Sequence, residues 1–149
     1  MPVDRAFGPR LLVVDDDALQ REAVAAVLTG EGFEVDTAAD GPEAIARIRG
    51  GRFALALIDY NMPGMNGLTL ARVLRTTIGP SRRCPLLGAL TASADEPALR
   101  QAMQTGLFDL LLRKPLSATR LVAAVAERLG TVPGPARGAA AIHAARLTS

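Results

Sequence analysis

Short runs that are apolar at every position, each stopping at a polar or charged residue, alternate along this chain with longer segments of helical periodicity. Leu11-Leu12-Val13-Val14 meets Asp15-Asp16-Asp17, Leu55-Ala56-Leu57-Ile58 meets Asp59, and Pro85 to Leu90 meets Thr91; Leu107 to Arg113, apolar apart from Asp109 and Arg113, reads as the last strand and meets Lys114. A run without polar positions suits a strand buried on both faces, as in a parallel sheet. Phe33 to Ala38 alternates apolar and polar residues and reads as a further strand. Between the runs, Ala18 to about Gly30 places Leu19, Ala23, Ala26 and Val27 on one helical face, expected to turn inward. Gly41-Pro42 opens a helix through Ile45 and Ile48, with proline where a missing N–H costs nothing. Leu68 to Thr77 turns Leu70, Val73 and Leu74 inward. Pro97 starts a fourth helix, capped by Ser93 or Asp95, with Leu99, Ala102 and Met103 inside. Ser117 to Leu129 closes the series through Leu121, Val122, Val125 and Leu129. Five such alternations predict an α/β domain: one parallel sheet with helices on both faces.

Composition removes several functional classes. The chain of 149 residues is long enough for one domain with its own core. Its formal charge of +2 comes from scattered arginines, and the adjacent basic pairs Arg82-Arg83 and Arg113-Lys114 are too sparse for a nucleic-acid footprint. With no tryptophan there is also little to stack on single-stranded bases. Cys84 is the sole cysteine, which excludes an internal disulfide and a multi-cysteine metal site. The N-terminus lacks a signal-peptide pattern and no apolar run approaches membrane-span length, so a cytoplasmic protein is expected. No Gly-x-Gly-x-x-Gly follows the first strand; aspartates stand there instead, against a dinucleotide fold.

In an open parallel sheet, ligands bind beyond the carboxyl ends of the strands. Four of the five predicted strands end in groups fit for such a site: Asp15-Asp16, Asp59, Thr91 and Lys114. Asp40-Gly41, after the second strand, reads as a turn, and Asp17 also fits a helix N-cap. Lys114 is the only lysine in a chain that otherwise uses arginine for every basic side chain. An ammonium is a compact point charge with three rotatable donors, whereas guanidinium is a planar fork. Three carboxylates brought together repel and call for a cation. Oxygen ligands alone suit Mg²⁺, which keeps waters and phosphate oxygens as its other ligands. Carboxylate nucleophile, metal, ammonium and hydroxyl together equip a site for phosphoryl transfer onto a carboxylate.

With these residues in place, the chain resembles the receiver domain of two-component response regulators over roughly residues 9–130. The resemblance rests on Leu11 to Asp17, on Asp59 with Met62-Pro63-Gly64-Met65-Asn66-Gly67, on Leu90-Thr91-Ala92 and on Lys114-Pro115. It implies a flavodoxin-like, doubly wound five-stranded parallel sheet of order 2-1-3-4-5. It implies that Asp59 accepts phosphate from a phosphohistidine, supplied by a histidine kinase or a histidine-phosphotransfer protein. It also implies that Asp15, Asp16, Asp59 and the main-chain carbonyl of Asn61 hold Mg²⁺, that Thr91 and Lys114 contact the phosphoryl oxygens, and that Ala92 leaves room for access. On this reading the chain is a switch rather than an enzyme with a separate substrate, promoting its own phosphorylation and dephosphorylation and offering a changed surface to a protein partner. One departure stands out: many receivers carry Tyr or Phe three residues before the lysine as a switch residue paired with the threonine, and here that position is Leu111.

Two other readings compete with this one. A haloacid-dehalogenase-like phosphatase would use Asp15 and Asp17, but its motif expects Thr or Val where this chain has Leu19, and it leaves Asp59 without a role. A pseudo-receiver would lack some of the five key residues, all present here. Residues 131–149 are expected to be a flexible or partly helical tail, with His143 isolated in it. Since only this tail follows Leu129, no direct nucleic-acid or membrane binding is expected, and the chain reads either as a stand-alone receiver acting by protein contact or phosphate shuttling or as the terminal receiver of a hybrid histidine kinase.

Overall fold

A computed structural model describes residues 9–78, 84–92 and 97–130. Among these residues five strands alternate with five helices: β1 (Arg10–Val14), α1 (Ala18–Gly30), β2 (Glu34–Ala38), α2 (Gly41–Gly50), β3 (Leu55–Asp59), α3 (Gly67–Thr77), β4 (Leu86–Thr91), α4 (Pro97–Gln104), β5 (Leu110–Arg113) and α5 (Ala118–Leu129). All pairings are parallel and the sheet order is β2-β1-β3-β4-β5, the flavodoxin-like arrangement expected.

Successive strand residues point to opposite faces, and both faces are apolar. Leu12, Val14, Ala56, Ile58, Leu87 and Ala89 pack with Ile48 of α2, Leu70 and Leu74 of α3 and Leu99 of α4. Leu11, Val13, Leu55, Leu57, Leu90 and Leu112 pack with Leu28 of α1 and with Leu121 and Val125 of α5. β3, at the centre, is buried along its whole length, including Asp59. That explains its lack of polar alternation.

The helix starts are set by side chains that accept from otherwise unpaired backbone N–H groups. Asp17 caps α1, Asp40 caps α2, Asn66 caps α3 and Ser117 caps α5. At α2 the arrangement is reciprocal: Asp40 accepts from the Glu43 N–H, and Glu43 accepts from the Ala39 N–H, each at 2.8 Å. That backbone bond, aided by Arg47, holds the Glu43 carboxyl below its ordinary pKa.

Two expectations need correction. Leu19, Ala23 and Ala26 point to solvent, Leu19 being 82% exposed, and the inward stripe of α1 is Val24, Val27 and Leu28. An alanine-rich helix carries overlapping apolar stripes, and contact with Phe33 and the sheet selects the one with larger side chains. β5 begins at Leu110 rather than Leu107, because the Leu107 N–H donates to the Ala102 carbonyl and ends α4. The proposed caps Ser93 and Asp95, and the tail with His143, lie outside the described residues.

Candidate phosphoryl-acceptor site

The ladder continues past the strands and fixes the residues that follow them. The Asp15 N–H donates to the Ala38 carbonyl at 3.1 Å, the Tyr60 N–H to Leu90 at 2.8 Å, and the Lys114 N–H to Thr91 at 2.8 Å. Asp15, Asp59, Thr91 and Lys114 are thereby held at one edge of the sheet. The edge is tightened where α3 begins: the Gly67 N–H donates to the Tyr60 carbonyl at 2.9 Å. A Cβ at Gly67 would stand 2.8 Å from the Tyr60 Cα and 3.1 Å from the Asp59 carbonyl, so glycine is required by contact with backbone. Asp40, by contrast, is spent as a helix cap and takes no part in the site.

Carboxylate oxygens of Asp15, Asp16 and Asp59 lie within 4.8 Å of one another. Asp15 is 1% exposed and Asp59 6%, whereas Asp16 is exposed. Lys114 faces the cluster, its Nζ donating to Asp59 Oδ1 at 3.2 Å and to Gln20 Oε1 at 2.8 Å. The Lys114–Pro115 peptide is cis. Burial pushes the Asp15 carboxyl up to about 6, with Asp59 adding to the rise; the N–H of Asp17 and the Lys114 charge oppose it. The Asp17 N–H donates to Asp15 Oδ1 at 2.9 Å, and Arg21 Nη1 donates to the Asp15 carbonyl at 2.7 Å.

Three carboxylates of which two are buried, one protonating far above the usual range, form a donor set that suits a hard divalent cation. The residue types fit Mg²⁺ on these grounds. Thr91 is fully buried at the end of β4, its backbone paired with Arg113. Leu111, opposite Ala89, is half-buried against the cluster containing Leu99, Ala102 and Phe108. Asn61, exposed, lies two positions beyond Asp59.

Asp17 accepts from the Leu19 and Gln20 N–H groups at 2.9 and 3.3 Å. It serves α1 as a cap, so the phosphatase alternative loses its second catalytic carboxylate. Gln20 and Arg21 were not anticipated from sequence. Among the described residues no helix is long and apolar enough to cross a membrane.

Residues 11–126 match the family described as response regulator receiver domain. The DNA-binding response regulator MtrA of Mycobacterium tuberculosis is 40% identical over 120 residues, covering 80% of this chain and 50% of MtrA. The chain thus spans about half the length of the curated relatives it matches. A CheY-like receiver domain protein from Methanospirillum hungatei has 29% identity and a TM-score of 0.73, covering 82% of this chain and 94% of that one. The response regulator TrrA of Thermotoga maritima, solved in complex with Mg²⁺ and beryllofluoride, has 30% identity and a TM-score of 0.68, covering 82% of this chain and 99% of that one.

Proposed function

This chain belongs to the response regulator receiver domain family and is a phosphoryl-accepting signalling switch; from that premise we propose that the acceptor is Asp59. The observation that supports this most is the pairing of a buried carboxylate with the chain's single lysine, 3.2 Å apart, beside the Asp15 and Asp16 carboxylates. An Asp59 oxygen attacks the phosphorus of a phosphohistidine; the O–P bond forms as the P–N bond breaks, and the electron pair returns to the imidazole nitrogen. The histidine kinase or histidine-phosphotransfer protein that carries that histidine is the partner the family implies.

Asp15, Asp16, Asp59 and the Asn61 main-chain carbonyl are the groups assigned to Mg²⁺. When bound, the ion offsets the charge of the phosphoryl oxygens and of the acidic cluster. Lys114 neutralises a further phosphoryl oxygen and the Thr91 hydroxyl donates to another. The same site, with water as nucleophile, returns the carboxylate and releases phosphate, so we assign self-dephosphorylation to it as well.

We assign residues 9–130 to the receiver domain and 131–149 to a tail. The output partner is taken to be a protein that reads the surface altered by phosphorylation, in the cytoplasm. Incubation with acetyl phosphate and Mg²⁺ tests the function: intact mass should rise by one phosphate, and EDTA should abolish the gain. Labelling that ignores EDTA contradicts the metal-dependent site.

A further inference from the structure

Lys114 Nζ is held from two sides. Asp59 Oδ1 accepts from it at 3.2 Å inside the site, and Gln20 Oε1 accepts at 2.8 Å from the first turn of α1. The other end of the Gln20 amide faces a carboxylate, with Nε2 3.4 Å from Asp17 Oδ2. The orientation of the amide is therefore dictated by charge: reversing it would set NH₂ against the ammonium and the carbonyl against the carboxylate. Asp17 in turn caps α1 and donates its N–H to Asp15. Gln20 thus closes a ring of polar contacts running from Asp15 through Asp17 and Lys114 to Asp59.

Nothing in the packing of α1 calls for glutamine at this place. Gln20 is exposed, and the stripe that docks the helix is Val24, Val27 and Leu28. We propose that Gln20 is a positioning residue that holds the Lys114 ammonium at the mouth of the site, ordered before a phosphoryl group arrives. This rests on the assignment of Asp59 as acceptor. A lysine with four rotatable bonds loses much freedom when fixed, and a site that has already fixed it reacts faster. Gln20 touches neither the acceptor carboxylate nor the incoming group; it acts through the ammonium.

The single lysine makes the test direct, because lysine-selective ¹³C labelling yields one side-chain signal. In the wild type the two Lys114 Hε protons should be inequivalent, as expected of a held side chain. In Gln20→Met, which keeps the length and removes the acceptor, they should merge. The rate of mass gain with acetyl phosphate and Mg²⁺ should fall about three- to tenfold, the order expected when a long side chain must be ordered anew. Melting temperature should not move. Gln20→Glu, which keeps an acceptor oxygen at the same reach, should keep Lys114 held. Merging without rate loss, rate loss without merging, or merging in Gln20→Glu overturns the proposal. Asp59→Asn separates the two levels: if it is labelled like wild type, the acceptor assignment fails. If it is unlabelled while Gln20→Met behaves as wild type, the inference about Gln20 alone fails.

Discussion

Lys114 and Asp59 stand 3.2 Å apart although they are 55 positions apart in sequence, because Asp59 ends β3, Lys114 follows β5 of the same parallel sheet, and β4 lies between. The ammonium and the carboxylate belong to different strand ends, so their meeting is a property of the topology. Thr91, at the end of that intervening strand, completes the row.

Lys114→Arg should retain phosphate acceptance at Asp59 but damage the conformational response. A planar fork cannot take the place of a point charge between Asp59, Gln20 and a phosphoryl group. Methyl NMR at matched phosphorylation should show full shift changes in the wild type and reduced ones in the variant. A variant that switches fully would make Lys114 an ordinary surface charge.

Asp15 sets a pH dependence of stability. Its folded pKa, about 6, lies above the ordinary 3.8, so the folded protein binds this proton more tightly than the unfolded chain. Ionised Asp15 therefore destabilises the metal-free fold above about pH 6, and the penalty fades as pH falls toward 3.8. Asp15→Asn should be more stable than wild type at pH 7.5 in EDTA by up to about 3 kcal/mol, from 1.36 kcal/mol per pKa unit. The difference should vanish near pH 4, and saturating Mg²⁺ should shrink or reverse it. Urea titrations of both proteins across this range check the sign.

Gly67→Ala should destabilise the fold by about 1–3 kcal/mol, the usual cost of forcing a methyl group into a packed position. The obstruction is backbone, at the Tyr60 Cα and the Asp59 carbonyl, and cannot rotate away. Because the clash adjoins Asp59, phosphate acceptance should slow as well. Thermal melts beside acetyl phosphate labelling would show both effects, and a variant that melts as wild type contradicts the contact.

Leu111 should remain in its apolar contacts on activation. It packs against the cluster holding Leu99, Ala102 and Phe108, and has no polar tip to favour water. Exposing a leucine costs up to about 1.5–3 kcal/mol, comparable to many switch gaps. Methyl NMR with and without beryllofluoride should leave the Leu111 rotamer unchanged. A change of rotamer and burial would contradict this.

The strands were legible because the runs 11–14, 55–58 and 86–90 are apolar without interruption, as burial on both faces requires. Their polar stops located Asp15, Asp59 and Thr91 for the same reason. Less legible was α1, where alanines blur the stripes and the apolar face that includes Leu19 looks inward in sequence although Leu19 is 82% exposed. Asn66 stood in a turn-rich stretch that hid its role as the α3 cap. Gln20 left no readable sign, since its partner Lys114 lies 94 positions away and the contact exists only once α1 is docked against β1, β2 and α5.

The most direct test of the central assignment is to trap the acceptor chemically. After acetyl phosphate and Mg²⁺, borohydride reduces an aspartyl phosphate to homoserine, and peptide mapping then reads its position. Homoserine at residue 59 alone, lost in EDTA, is the expected result. Homoserine at Asp15 or Asp16, or phosphate retained with none at Asp59, would contradict the account.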